Sequence, residues 1–267
     1  MTTFHLLLVA FIQGVTEFLP ISSSGHLILL PNLTGLDDQG LVIDVAAHLG
    51  TLIAVIAYFW SDVRLALFGS LRLMRGKVDT KGAFLALCLL IATVPVVIAG
   101  LILKVTGLTE MMRGIAIIGW AMVIFGIVLY FADQKGEVTK TAERWTMKDA
   151  AIMGLWQAVA LIPGTSRSGI TITAARMLGY ARPDAARLSM LMSIPTIIAS
   201  GALLSLDVIG TATAADLGDI FVVAVMSGFA AWAALAIMMR LLRSVSYTPY
   251  VVYRIVLGLI LLFIAYT

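Results

Sequence analysis

Six apolar stretches, at residues 41–60, 83–103, 114–132, 185–206, 220–239 and 249–266, dominate this chain. Each is close to the roughly 20 residues that an α-helix needs to cross a bilayer. The whole sequence is 61% hydrophobic and only 12% charged, against roughly 25% charged in soluble domains. In lipid a helix satisfies its own backbone, so the expected fold is an all-α polytopic membrane protein with six transmembrane helices. The net charge of +3 is small and its basic residues are scattered over loops, which gives nucleic-acid binding no support. Cys88 is the single cysteine and lies in an apolar run, so an intramolecular disulfide and a thiolate metal cluster are excluded. Phe4 to Ile12 resembles a short apolar signal core, but no Lys or Arg precedes it and the first is Arg64, so no cleavable signal peptide is expected.

The polar residues of the N-terminal region are concentrated in Gln13-Gly-Val-Thr-Glu17-Phe-Leu-Pro20-Ile-Ser22-Ser23-Ser24-Gly25-His26-Leu27. Gln13 and Glu17 are four apart and share one helical face. Pro20 should end that helix near Leu19. Ser22 to Gly25 then read as the turn and N-cap of a second helix, where backbone N–H groups can hold an anion. The apolar stretch before Glu17 is short for a span, so residues 4–35 read as a re-entrant hairpin that dips into the membrane and returns. An ionisable side chain inside a membrane segment is functional by default, which singles out Glu17 and His26.

Beyond a polar linker at 133–148 the pattern begins again. A short apolar segment from Asp149 to Ile162 is broken by Pro163 and followed by Gly164-Thr-Ser166-Arg167-Ser168-Gly169-Ile-Thr171. Gln157 and Gly169 stand 144 residues after Gln13 and Gly25, and the same offset lays Ser166 and Ser168 over Ser22 and Ser24. Residues 149–180 thus read as a second hairpin, with halves 1–132 and 149–267 in a single membrane domain. Three crossings per half is an odd number, so the second half is inverted, an arrangement that builds polar sites from broken helices near mid-membrane. Basic residues gather at 61–82, at 133–148 and at Arg240 and Arg243, while Asp207, Asp216 and Asp219 share a loop without Lys or Arg. The positive-inside rule puts the basic loops in the cytoplasm, and the acidic loop and both termini outside.

Arg167 among Ser166, Ser168, Gly169 and Thr171 is suited to a phosphate, which a guanidinium binds bidentately while hydroxyls and amides take other oxygens. An acid, hydroxyls, an imidazole and an anion cradle together point to phosphate ester or anhydride chemistry. Asp44 and His48, one turn apart in the first span, are further candidates.

The two motifs resemble the signatures of the bacterial undecaprenyl-diphosphate phosphatases, or bacitracin-resistance proteins. The similarity extends along the chain, including Ala47-His48-Leu-Gly-Thr-Leu52 and Tyr253-Arg254. That resemblance implies a multi-pass enzyme of the bacterial inner membrane whose site opens to the outer side. Its substrate would be C55 polyprenyl diphosphate, a cell-wall carrier lipid, and its activity would depend on a divalent cation, Mg²⁺ or Ca²⁺. By position, Glu17, Ser23, His26 and Arg167 match the family's essential residues. Where the family has Glu or Gln, this chain has Gln13, leaving Glu17 as the acid of that turn.

The expected scheme is in-line displacement at the terminal phosphorus: Ser23 attacks, His26 manages the proton, and Arg167 with the second-motif amides stabilises the equatorial oxygens. Ser22, Ser24, Gly25, Ser166, Ser168, Gly169 and Thr171 would bind phosphate, and Glu17 with Gln13 a bridging cation. His26 or a water is the alternative nucleophile. A secondary transporter or flippase of inverted-repeat form could use the same polar residues as a substrate or proton site. The phosphatidic-acid-phosphatase class also has Ser-Gly-His and Ser-Arg signatures, but it needs a second histidine a few residues after Ser-Arg, and none follows Arg167 here. A homo-oligomer is compatible with these features and not required by them.

Overall fold

Backbone polar groups in an apolar setting must bond along their own segment, and the chain is helical throughout its long apolar stretches. The computed structural model describes residues 2–35, 39–112, 114–135, 138–208 and 216–267, without the side chains of 32–34, 109–110, 206–208 and 216. Glu137 therefore lies outside the described residues, and Glu110, Asp207 and Asp216 outside the described side chains. The helices are α1 (Thr3–Phe18), α2 (Ser23–Thr34), α3 (Gly40–Tyr58), α4 (Trp60–Leu73), α5 (Lys81–Thr106), α6 (Leu108–Met111) and α7 (Ile115–Lys135). They continue as α8 (Met147–Ala158), α9 (Arg167–Met177), α10 (Arg182–Val208), α11 (Asp216–Leu241) and α12 (Thr248–Tyr266).

Six of these helices are long and apolar enough to cross a membrane: α3, α5, α7, α10, α11 and α12. Their limits agree with the expected spans to within a few residues. Their outer faces expose Ile98, Ile102, Phe131, Phe229, Ile237 and Phe263, as a lipid-facing surface does. The interior is a cluster that includes Phe18, Val55, Met153, Ile172, Leu188 and Leu235, drawn from both ends of the sequence.

Helix α11 packs on both α1 and α3, and α5 packs on both α8 and α10; α7 pairs with α12, and α3 with α10. Tails of lipid are as apolar as leucine, so close packing rather than hydrophobicity favours these contacts, and small residues permit it. A Cβ at Gly50 would come within 2.0 Å of the Ala224 carbonyl oxygen. That leaves no room for any side chain, and Ser227 Oγ donates to the Ala47 carbonyl (2.9 Å) across the same contact.

Residues 61–82, expected to be a loop, contain α4 instead. This helix lies along α5 because Gly69 backs onto Gly82, where a Cβ would meet the Gly82 carbonyl carbon at 2.0 Å. Its Leu67, Phe68 and Leu71 remain exposed. The polar linker is equally well held. Ala142 N donates to Asp184 (2.8 Å), Lys140 pairs with Asp149 (3.0 Å), and Arg187 pairs with Asp62 (2.6 Å) and Glu143 (2.8 Å). The fully buried Arg176 pairs with Asp133 (3.1 Å), which also accepts from Arg182 (2.8 Å).

Candidate active site

Both short-helix pairs break at a serine. Leu19 is extended ahead of Pro20, and the chain re-enters a helix after Ser22, whose φ is 75°. In the second motif Ser166 does the same with φ 68°. Among the described residues these two serines are the non-glycine residues with positive φ. An L-residue there costs on the order of 1–3 kcal/mol and persists where its surroundings over-determine it. Ser22 Oγ accepts from Gly25 N (3.4 Å) and lies 3.2 Å from Ser24 Oγ. Ser166 Oγ accepts from Gly169 N (3.1 Å) and lies 3.1 Å from Ser168 Oγ.

Glu17 joins the two motifs. Its Oε1 accepts from Arg167 Nη2 (2.8 Å), and its Oε2 from Gln13 Nε2 (2.9 Å) and Ser23 Oγ (3.0 Å). Both carboxylate oxygens are thus engaged, by residues 150 apart in the case of Arg167. The other terminal nitrogen, Arg167 Nη1, is buried without a hydrogen-bond partner among the described residues. A cavity of about 180 Å³ opens over this hub, lined by Glu17, Ser22, Ser23, Ser24, His48 and Arg167 among others. Ser166 and, from α10, Thr196 and Ser200 contribute further hydroxyls to its wall.

The two histidines divide differently from the expectation. His26 does not line the cavity. Its Nδ1 lies 2.7 Å from the Ser22 carbonyl, which can only accept, so Nδ1 carries the proton. In the neutral ring Nε2 then accepts from Tyr253 OH at 2.5 Å, and the two rings are parallel within 3°. His48 does line the cavity. Its Nδ1 donates to the Asp44 carbonyl (2.8 Å), leaving Nε2 3.8 Å from Glu17 Oε2, beyond hydrogen-bond reach. Asp44 itself accepts from Gln39 (2.9 Å).

Several residues expected to bind phosphate act as scaffold here. The Gly25 and Gly169 amides are taken by their own serine caps, as the third amide of a capped helix is. The cap leaves the earlier amides of each first turn without intrahelical partners. Ser168 is fully buried and donates to the Leu19 carbonyl (2.9 Å), tying α9 to the first break. Thr171, also fully buried, bonds the Arg167 carbonyl (2.9 Å) and Ser189 Oγ (2.6 Å). Thr196, Ser200 and the pairing of Tyr253 with His26 escaped the sequence reading, because hydroxyls within a span are ordinarily bonded to their own helix. An intramembrane arginine, by contrast, is a signal in itself. Arg254 could have been found that way.

Oxygen donors suited to a hard cation can be tested directly. Among the described residues no three His, Cys, Asp or Glu side chains gather as a metal-binding group. Gln13 Oε1 is buried and has no hydrogen-bond partner among the described residues, while Nε2 of the same amide donates to the Glu17 carboxylate. One carboxylate and one amide oxygen fit a cation whose remaining ligands are phosphate oxygens and water.

The chain is similar to known proteins along its whole length. Residues 6–260 match the family described as Bacitracin resistance protein BacA. A protein of Roseobacter denitrificans named undecaprenyl-diphosphatase is 68% identical over 267 residues, covering 100% of both chains. Proteins of the same name from Dinoroseobacter shibae and Maricaulis maris are 66% and 45% identical, covering 100% and 98% of each chain. A match of this extent leaves one assignment: the chain is a member of the BacA bacitracin-resistance family.

Proposed function

We infer that this protein is an undecaprenyl-diphosphatase: it hydrolyses undecaprenyl diphosphate to undecaprenyl phosphate and inorganic phosphate, recycling the cell-wall carrier lipid and conferring bacitracin resistance. The observation that carries this is end-to-end identity of 68% with a protein bearing that name. The convergence of Glu17, Ser23 and Arg167 on one cavity supplies the chemistry. At about 180 Å³ the cavity is below the ~300–1,000 Å³ of pockets that enclose a whole small ligand. It suits a diphosphate head group whose polyprenyl tail stays in the bilayer.

In the proposed reaction Ser23 Oγ attacks the terminal phosphorus, its proton passes to Glu17 Oε2, and undecaprenyl phosphate leaves. Water then releases inorganic phosphate from Ser23. Glu17 rather than His26 is the base in this scheme because Ser23 already donates to it. His26 positions the first turn of α2 through the Ser22 carbonyl. Arg167 keeps Nη2 on Glu17 and offers Nη1 to the phosphoryl oxygens, and Ser22, Ser24 and Ser166 take others. Glu17 and Gln13 would hold Mg²⁺ or Ca²⁺, which when bound neutralises diphosphate charge.

Purified wild-type protein should release phosphate from undecaprenyl diphosphate, and a chelator should suppress the release; a transporter has nothing to hydrolyse. Glu17→Gln should lower the rate and weaken the metal titration together. Near-normal turnover with an unchanged titration would make Glu17 a structural residue.

The finer architecture, two re-entrant hairpins in an inverted repeat, draws support from the helix contacts. Exchanging α1, α3 and α11 for α8, α10 and α5 turns the packing of α11 on α1 and α3 into that of α5 on α8 and α10. The strained serine caps, 144 residues apart, obey the same exchange. With basic loops in the cytoplasm of a bacterium, the enzyme would lie in the inner membrane with its site open to the outer side. In a Cys88→Ala background, single cysteines at the exposed Lys77 and Val138 should label from the cytoplasm, and one at the exposed Gly218 from outside. Labelling of all three from one side would end this topology.

A further inference from the structure

Arg254 is fully buried in the middle of α12, yet no carboxylate pairs with it among the described residues. That separates it from Arg167, Arg176, Arg182 and Arg187, each of which has an acidic partner. Burying an unneutralised cation is costly unless its donors are met. Here they are met by carbonyls alone. Nε donates to Met122 O (3.3 Å) and Nη1 to Pro20 O (3.3 Å); Nη2 reaches Thr165 O (2.8 Å), Gly164 O (3.2 Å) and Ala121 O (3.4 Å). Carbonyls solvate a guanidinium without cancelling its charge.

The placement of those carbonyls matters as much as their number. Pro20 lies just ahead of the cap Ser22, and Gly164 and Thr165 lead directly into the cap Ser166. One side chain thus bonds the chain immediately before both positive-φ serines. It also sits against the start of α9, since a Cβ at Gly169 would come within 2.6 Å of Arg254 Nη1. Two helix N-termini, each with its partial positive charge, lie close to this cation, which itself pairs with no carboxylate among the described residues. Positive charge gathered in this way favours an anion opposite it.

We propose that Arg254 is a positioning residue of the phosphate site, clamping both motif breaks in register and serving as the fixed counter-charge behind the diphosphate. The proposal rests on the phosphatase reading above. A lysine would keep the charge but could not span carbonyls on α7 and both breaks at once. The clamp therefore requires arginine, whereas the counter-charge requires only a cation.

The two roles separate by substitution. Arg254→Lys should lower kcat at least about tenfold with KM within about threefold of wild type, because the charge stays and the register slackens. Inorganic pyrophosphate should protect the wild type against thermal unfolding, and Arg254→Met should lower kcat further and abolish that protection. Gly169→Ala, which pushes on the guanidinium and alters no charge, should reproduce the kcat loss of Arg254→Lys even if the arginine variants do not fold. Wild-type kcat in Arg254→Lys or in Gly169→Ala would overturn the clamp. Undiminished pyrophosphate protection in Arg254→Met would overturn the counter-charge. If wild-type protein released no phosphate at all, the phosphatase reading would fail, and pyrophosphate protection would still report on Arg254.

Discussion

Ser23→Ala is expected to abolish phosphate release, with kcat falling by at least about a thousandfold, the scale on which deletion of a nucleophile acts. Ser23 opens α2, lines the cavity, and already donates to Glu17 Oε2 at 3.0 Å. If its hydroxyl only bound phosphate, its loss would remove about 0.5–1.5 kcal/mol, or roughly tenfold at most. The two cases differ by orders of magnitude, so one rate measurement on folded protein separates them. A drop of only tenfold would pass the attack to water. Folding itself should be unaffected, because the cap of α2 is Ser22 and not Ser23.

Arg167→Lys is the second large effect. The guanidinium spans two duties: Nη2 holds Glu17 at 2.8 Å, and buried Nη1 has no hydrogen-bond partner among the described residues. A lysine has one ammonium and cannot serve Glu17 and a phosphoryl oxygen in that fixed geometry. A charge-assisted contact is worth about 1.5–3 kcal/mol, and one that strengthens in the transition state acts on kcat rather than KM. Arg167→Lys should therefore lose roughly tenfold to a hundredfold in kcat, with helical content and substrate affinity near wild type. A folded Arg167→Lys enzyme with unchanged kcat would remove Arg167 from the reaction. The link between the two motifs would then be structural only.

These expectations differ from the sequence reading in their atoms. A fork of Arg167 onto phosphate alone was the natural inference from a guanidinium among serines. The folded chain uses half of that fork to hold the acid of the other motif. Likewise Gly25 and Gly169 looked like free anion-binding amides, and the caps of Ser22 and Ser166 occupy them. His26 stood beside the serines in the sequence, yet its imidazole is taken by the Ser22 carbonyl and Tyr253 and does not line the cavity. The imidazole on the cavity wall is His48, which reaches it from α3.

The six long helices, the two breaks and the pairing of the motifs were legible in the sequence because each depends on local chemistry. Apolar length decides a span, proline decides where α1 stops, and a serine before a glycine decides a cap. The helix at Trp60–Leu73 was not legible. Its stability comes from Gly69 lying on Gly82 of α5, a contact that no window of residues contains. The same holds for the centre of the site. Motif spacing identified Glu17, Ser23 and Arg167 as chemically able, but which atom faces which was decided only when α1, α2 and α9 met beneath α12. There the five backbone carbonyls around Arg254, gathered from three separate parts of the chain, hold both breaks in register. Hydrogen bonds between residues 89 to 234 positions apart have no signature in local sequence, and so tertiary packing alone determines them.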